Sequence, residues 1–447
     1  MSDFIERAKF SCALGGAIAT LSSIPKAVPI VHASGGCAAM LSNTYNLAGG
    51  YRGSGYCGAN MIPTSGISEN NIVFGGEDRL DEQIEHTIRI IDGDLYFVVT
   101  GCQVEIIGDD AVSVARRYGN RGEAPVLAAN TPGFSGNTFK GYETVLSTIA
   151  SELTEPAVKK SPKTVNILGV VPGHDVFYRG NLREIRRLLA RLGIHTNTFF
   201  ADGESVERIK KYGEASLSIV FSENYGIETA KVFEQLHDIP YIIEDLPIGP
   251  TLTEAFLRGI GRRFEVPEEL VEEVIGQEKK LYYRYLEGIV DIYADLDLQR
   301  YAIISADSNY AWPLTSFLAD DLGWIPHLTV INDLFDEEKQ ASYARKFDAL
   351  TSETRPKVVF EPNASQLLYH IRSNWKDNNN DKYYDSLSPA FLLGSSIDIN
   401  AAQKLNAAFL SVAFPVTNRV VMSKGYAGFN GAISLAEDLF SALVSNR

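Results

Sequence analysis

Short apolar runs alternate with amphipathic segments along the whole chain, and the alternation predicts strand followed by helix many times over. "KAVPIVHA" (26–33), "LYFVVTGC" (95–102) and "PVLAANTP" (125–132) read as buried strands. Between them, "DEQIEHTIRII" (81–91) and "DDAVSVARRYG" (109–119) carry helical spacing, the second with the acidic first turn that a helix dipole favours. "CALGGAIATLSSI" (12–24) follows Asp3 and Glu6 and precedes no clear small-residue cleavage site, so it reads as a helix of the mature protein and not as a signal core. A second run opens after the Pro- and Lys-containing "EPAVKKSPK" (155–163). It places strands at "TVNILGVV" (164–171), "TNTFFA" (196–201), "LSIVFSE" (217–223) and "IPYIIED" (239–245), and a helix at "NLREIRRLLARLG" (181–193). A third run has strands at "RYAIISAD" (300–307), "IPHLTVIND" (325–333), "PKVVFEP" (356–362), "PAFLLGSS" (389–396) and "AFLSVAFP" (408–415), and a helix at "AWPLTSFLADDLG" (311–323). The polar "NWKDNNNDKYYDS" (374–386) reads as a surface loop. Such alternation implies α/β architecture with parallel sheets covered on both faces. Three runs give three doubly wound units, over residues 1–155, 156–298 and 299–447.

Composition narrows the class. A chain of 447 residues exceeds one core, and 45% hydrophobic with 22% charged residues is globular. A net charge of −15 argues against nucleic acid and against an anionic membrane surface as partners. No apolar run reaches the roughly 18 residues of a membrane span. Four cysteines, all within the first 102 residues, are no secreted disulfide framework. The expected location is the cytoplasm, where clustered thiols lean towards metal or redox chemistry.

The cysteines carry the candidate chemistry. Cys37 in "IVHASGGC" and Cys102 in "VVTGC" both fall at strand ends, where open parallel sheets bind ligands. Cys12 precedes "ALGG", and glycines beside all three would let backbone approach an inorganic cluster closely. Free cysteines are also common core residues, and no CxxC pair is present. Three thiols leave a four-iron cluster one ligand short, so another residue or a partner chain must complete it. Cys57, in the Gly-rich "YRGSGYCGANMIP", reads as a free loop thiol; this loop lacks the GK[ST] ending of a phosphate loop. His32 reads as a hydrogen-bonded core or supporting histidine, His86 as solvated, and His174 as a residue that could line a cleft without an obvious partner. Phe74, before Gly75-Gly76 in "FGGEDRL", reads as buried on sequence alone.

Taken together, Cys12 and Cys37 with 24 residues between them, "IVFGGEDRL", "TGCQVEIIGDD" and "NTPGFSGNTFKGYE" resemble the catalytic component of nitrogenase and its relatives. The ending "AFPVTNRVVMSKGYAGFNGA" is similar to the β-type subunit, and the absence of any Cys after 102 separates the chain from the α-type subunit that holds the substrate-reducing cofactor. The resemblance implies three Rossmann-like domains and an α-type partner subunit, with an α2β2 heterotetramer as the assembly. It also implies an [8Fe-7S] P-cluster shared across the subunit interface. Cys12, Cys37 and Cys102 would be this chain's share of its ligands, and Cys57 matches no ligand motif. The electron donor implied is an ATP-dependent iron protein with a [4Fe-4S] cluster. Phe74 matches an aromatic that faces that protein in the family, which predicts exposure. The iron-sulfur-based reducing cofactor would lie in the partner. Gly133 stands where the β-type pattern has a Ser able to ligate the oxidised cluster, and glycine offers no oxygen. This departure, the glycine-rich loop 45–66 and the missing long N-terminal extension point to an alternative nitrogenase or a nitrogenase-like enzyme such as methylthio-alkane reductase, which cleaves C–S bonds. The alternatives are a [4Fe-4S] tetrapyrrole reductase subunit and a cofactor-assembly scaffold.

Overall fold

The computed structural model describes residues 4–53, 55–58, 61–119, 124–295, 298–374 and 390–445. The loop expected at 374–386 lies, apart from Asn374, outside the described residues. Every sheet is parallel. The first holds β1 (Ala27–His32), β2 (Leu95–Thr100) and β3 (Val126–Ala129) in that order. All three strands are buried at every position, which is why their sequences run apolar without alternation. The second sheet orders β4 (Thr164–Leu168), β5 (His195–Asn197), β6 (Leu217–Val220) and β7 (Tyr241–Ile243) as β5-β4-β6-β7. The third orders β8 (Tyr301–Ala306), β9 (Ile325–Ile331), β10 (Lys357–Phe360), β11 (Ala390–Gly394) and β12 (Ala408–Ser411) as β10-β9-β8-β11-β12. Strand order therefore reverses beside β4 and between β8 and β11, giving the switch points of doubly wound sheets. β5 is shorter than its sequence suggests. The chain leaves the sheet at Phe199, whose φ is +60°, and the Phe200 N–H turns back to Thr198 O at 2.7 Å.

Among the described residues the first unit adds seven α-helices to its sheet: α1 (Ala13–Ser22), α2 (Gly35–Ala48), α3 (Glu69–Phe74), α4 (Glu77–Ile90), α5 (Cys102–Ile107), α6 (Ala111–Arg116) and α7 (Thr138–Thr148). α1 is buried at all ten positions. It crosses α7 backbone against backbone: a Cβ on Gly16 would lie 2.0 Å from Thr138 O, and one on Gly141 1.9 Å from Ala13 O. Only glycine allows this approach, and it fixes where α1 begins.

The chain ends interlock the units. Ahead of α1 the N-terminal segment lies on the third sheet, where the Ala364 N–H donates to Arg7 O at 3.0 Å. The last helix, Gly428–Ser445, packs on helices Tyr178–Arg191, Gly249–Arg263 and Glu268–Glu287 as well as on β12. One continuous apolar core includes Leu14, Val165 and Ile304, a residue from around each sheet. No helix among the described residues is long and apolar enough to cross a membrane.

Candidate functional site

The carboxyl edge of the first sheet gathers the cysteines. Cys37 follows β1, Cys102 follows β2, and the Pro132-Gly133 turn follows β3. Cys12 joins from outside the sheet, bridged in antiparallel fashion to Asn137. Each cysteine opens a helix: Cys12 is the N-cap of α1, Cys37 lies in the first turn of α2, and Cys102 is the first residue of α5. Each cysteine thus sits at a helix N-terminus, where backbone N–H groups lack intrahelical partners and the helix dipole is positive.

Gly133 fits between two of them. A Cβ there would lie 3.1 Å from Cys102 Sγ and 3.5 Å from Cys12 Sγ, so the two sulfurs flank one point. The Gly133 N–H donates to Cys102 Sγ at 3.1 Å. Cys37 is linked to the Cys102 turn through Ser34, whose hydroxyl donates to Cys37 Sγ at 3.5 Å and accepts from Gln103 Nε2 at 3.5 Å. All three thiols are free and half-buried. Among the described residues no three His, Cys, Asp or Glu side chains converge tightly enough to hold a single metal ion. The donor set is instead three sulfurs spread along an open edge, with an N–H or O–H donor at two of them and a cradle at Gly133 that any side chain would fill. That chemistry fits a polynuclear iron-sulfur group, which needs several thiolates and nearby donors.

Cys57 sits in its loop but is buried against Val28 and Ile30, and burial pushes its thiol pKa up; it is a core thiol, not an accessible one. His32 is fully buried, with Nδ1 3.0 Å from Ser65 Oγ and Nε2 3.1 Å from Asp109 Oδ2, as expected of a supporting histidine. Phe74 is 85% exposed, so the reading of a buried ring is corrected. The chain turns at Gly75, with φ at +93°, and the Gly76 N–H is drawn onto Asp109, which leaves the ring outside the core.

His174 lines a small cleft after β4, together with Asp307 and Asp333 from the ends of β8 and β9. Its Nε2 is 3.5 Å from Asp307 Oδ2, and among the described residues neither ring nitrogen has a hydrogen-bond partner. Burial, reinforced by Asp307, raises the Asp333 pKa to about 6.

Two structural features escape sequence reading. Asp109 is the hub of the Phe74 turn; it lies in the quoted "IIGDD" run, but no spacing rule assigns it a role. Lys9 enters the third sheet beside its switch point, 2.6 Å from Asp398 Oδ2, 2.7 Å from Ser305 Oγ and 3.1 Å from Asn332 Oδ1. The position where such sheets usually bind a ligand is thus filled by the protein's own ammonium.

The family profile of the nitrogenase component 1 type oxidoreductases matches residues 12–444. The chain belongs to that family. Among component 1 relatives, the nitrogenase molybdenum-iron protein beta chain of Methanococcus maripaludis is 25% identical over 480 residues, covering 97% of this chain and 93% of its own. The corresponding beta chain of Azotobacter vinelandii is 23% identical, covering 97% of this chain and 83% of its own. The nitrogenase molybdenum-iron protein alpha chain of Methanothermobacter marburgensis is 24% identical, covering 97% and 87%. The solved structure of nitrogenase Cp1 at pH 6.5 superposes with a TM-score of 0.79 at 22% identity, over 100% of this chain and 94% of its own, a likeness of fold. Component 1 membership makes the chain part of an oxidoreductase with an electron-relay role and iron-sulfur chemistry in general.

Proposed function

We propose that the chain is the β-type subunit of a nitrogenase or nitrogenase-like reductase, and that Cys12, Cys37 and Cys102 are its ligands to an [8Fe-7S] P-cluster shared with an α-type subunit. The observation that carries this reading is the placement of all three thiols at helix starts along one open sheet edge, two of them facing the Gly133 cradle. Bound there, the cluster would supply one-electron storage and transfer. The chain's own residues would position its sulfurs and donate hydrogen bonds to them from Gly133 N and Ser34 Oγ. A shared cluster also accounts for the apolar rim. Met40 lies one turn beyond Cys37, Ile106 one turn beyond Cys102, and Phe134 next to Gly133; they are 73%, 76% and 66% exposed. Exposed apolar groups gathered around a half-buried site suit a partner surface. The similarity to both beta and alpha chains supports pairing within an α2β2 heterotetramer. Exposed Phe74 supports docking by an ATP-dependent iron protein with a [4Fe-4S] cluster. The substrate-reducing cofactor would lie in the partner, and the substrate is dinitrogen or, in a nitrogenase-like enzyme, a small methylthio-alkane.

The test is Cys37→Ala in the co-expressed complex, read by iron per αβ pair, by the cluster's EPR signal and by ATP-driven reduction. The complex should stay assembled while iron falls and reduction stops. Unchanged iron in Cys12→Ala, Cys37→Ala and Cys102→Ala alike would overturn the assignment. An EPR signal and iron content of a four-iron cluster would favour a tetrapyrrole-reductase subunit. Failure of the purified pair to turn over with an iron protein would favour an assembly scaffold.

A further inference from the structure

Phe74 and the cysteines are joined by a short buried chain of hydrogen bonds. The Gly76 N–H, two residues after Phe74, donates to both carboxylate oxygens of Asp109, at 3.0 and 3.1 Å. Asp109 in turn meets His32 Nε2 at 3.1 Å, with the His32 and Asp109 side chains 0% and 4% exposed. A carboxylate only accepts, so Nε2 carries the proton and Nδ1 accepts from the Ser65 hydroxyl at 3.0 Å. Burial lowers the His32 pKa against the pull of Asp109, which keeps the ring neutral in this arrangement.

His32 then reaches both cysteine turns through its backbone. Its carbonyl accepts from the Gly101 N–H at 2.9 Å, the residue before Cys102. It is also the last residue of β1, from which the chain runs directly into the Cys37 turn. Asp109 closes the far end of α5, its own N–H donating to Val104 O at 3.1 Å. There is no slack at the junction: a Cβ on Gly76 would lie 2.6 Å from Asp109 Oδ2 and 3.2 Å from His32 Cε1. The exposed turn is thus tied to Asp109, and Asp109 to α5 and His32.

We propose that Gly76, Asp109 and His32 form a buried latch, its two side chains acting as positioning residues that transmit docking of the electron donor at Phe74 to the starts of the Cys102 and Cys37 helices. The proposal rests on the reading that the donor protein docks over Phe74. In the donor-bound state the latch moves the Cys102 turn relative to Gly133, so that docking and the cluster's surroundings change together.

The experiment uses the intact, iron-loaded complex with its iron protein, comparing the unaltered chain with Asp109→Asn and His32→Gln. Amide exchange over residues 74–80 and 101–108 is followed with and without docked iron protein, alongside the rate of single-electron transfer. In the unaltered complex, docking should slow exchange over 74–80 and alter it over 101–108. Asp109→Asn should keep its iron and its protection over 74–80, lose the response over 101–108, and transfer electrons at least about fivefold more slowly. His32→Gln, whose amide restores a donor near the Nε2 position, should retain the response. If Asp109→Asn cannot be loaded with iron, His32→Leu breaks the same link and is expected to give the same loss. An identical response over 101–108 in the unaltered and latch-broken proteins overturns the latch alone. Absence of protection over 74–80 in the unaltered complex overturns the docking reading, and the latch with it.

Discussion

Lys9 carries its positive charge into the third sheet, where 3% of its own side chain and 1% of that of Asp398 remain exposed. A buried pair of this kind is held by its geometry, and removing one partner leaves an uncompensated charge. Lys9→Met should therefore destabilise the protein by about 3–5 kcal/mol, measured by denaturant unfolding. Because Cys12 lies three residues further on, the variant should also lose iron. Double replacement by Lys9→Met and Asp398→Leu should recover part of the stability, because the orphaned carboxylate is then gone. Cys57→Ala should leave iron near normal, since that thiol is buried in the cluster that holds Val28 and Ile30, not in the core against which Cys12 and Cys37 pack. That Cys37 and Cys102 lie at one sheet edge was legible in the sequence because each closely follows an apolar strand. Lys9 was not, because its partners lie 296 to 389 residues away. Phe74 was legible only through family resemblance. An aromatic before Gly-Gly looks like core, and what keeps it outside is Asp109, 33 residues beyond Gly76.

Strands were the elements most easily read, because parallel strands buried on both faces leave continuous apolar runs between turn residues. The helices flanking the second sheet were less visible. Gly249–Arg263 and Glu268–Glu287 carry a Pro in the first turn and acidic first-turn residues respectively, signals that periodicity alone passes over. The crossing of α1 and α7 makes a direct test of how elements place the site. Gly141→Ala would set a methyl 1.9 Å from Ala13 O and push α1 away from α7. A loss of at least about 1–3 kcal/mol is expected from overpacking. Iron should be lost with it, because Ala13 adjoins Cys12. A second test concerns Asp321, whose carboxylate accepts from the Thr251 N–H and hydroxyl at 3.3 and 2.6 Å near the start of helix Gly249–Arg263. Burial raises its pKa from 3.8 to about 7. The folded state therefore binds this proton more tightly than the unfolded state, and the group's contribution is full below pH 3.8 and declines as pH rises towards 7. Asp321→Asn removes that slope. Its melting temperature, compared with that of the unaltered protein, should gain between pH 5 and pH 7 and then level off.

At the scale of the whole molecule, rigidity and exposure are sharply divided. The three sheets are tied together by the N-terminal segment on one side and by the C-terminal helix on another, so the cysteine edge is carried by a continuous core. Phe74 stands outside that core, and its ring carries none of the burial that holds the fold. Phe74→Ala should leave stability within about 0.5 kcal/mol and iron content unchanged. If docking is its role, the variant should need about tenfold more iron protein for half-maximal reduction, as loss of a buried aromatic anchor at an interface does. The same variant, reduced chemically instead of through the iron protein, should show an unaltered cluster signal. A fall in iron or in melting temperature would place Phe74 in the structural framework. An unchanged requirement for iron protein would move the docking surface away from α3 and leave the exposed ring without a partner.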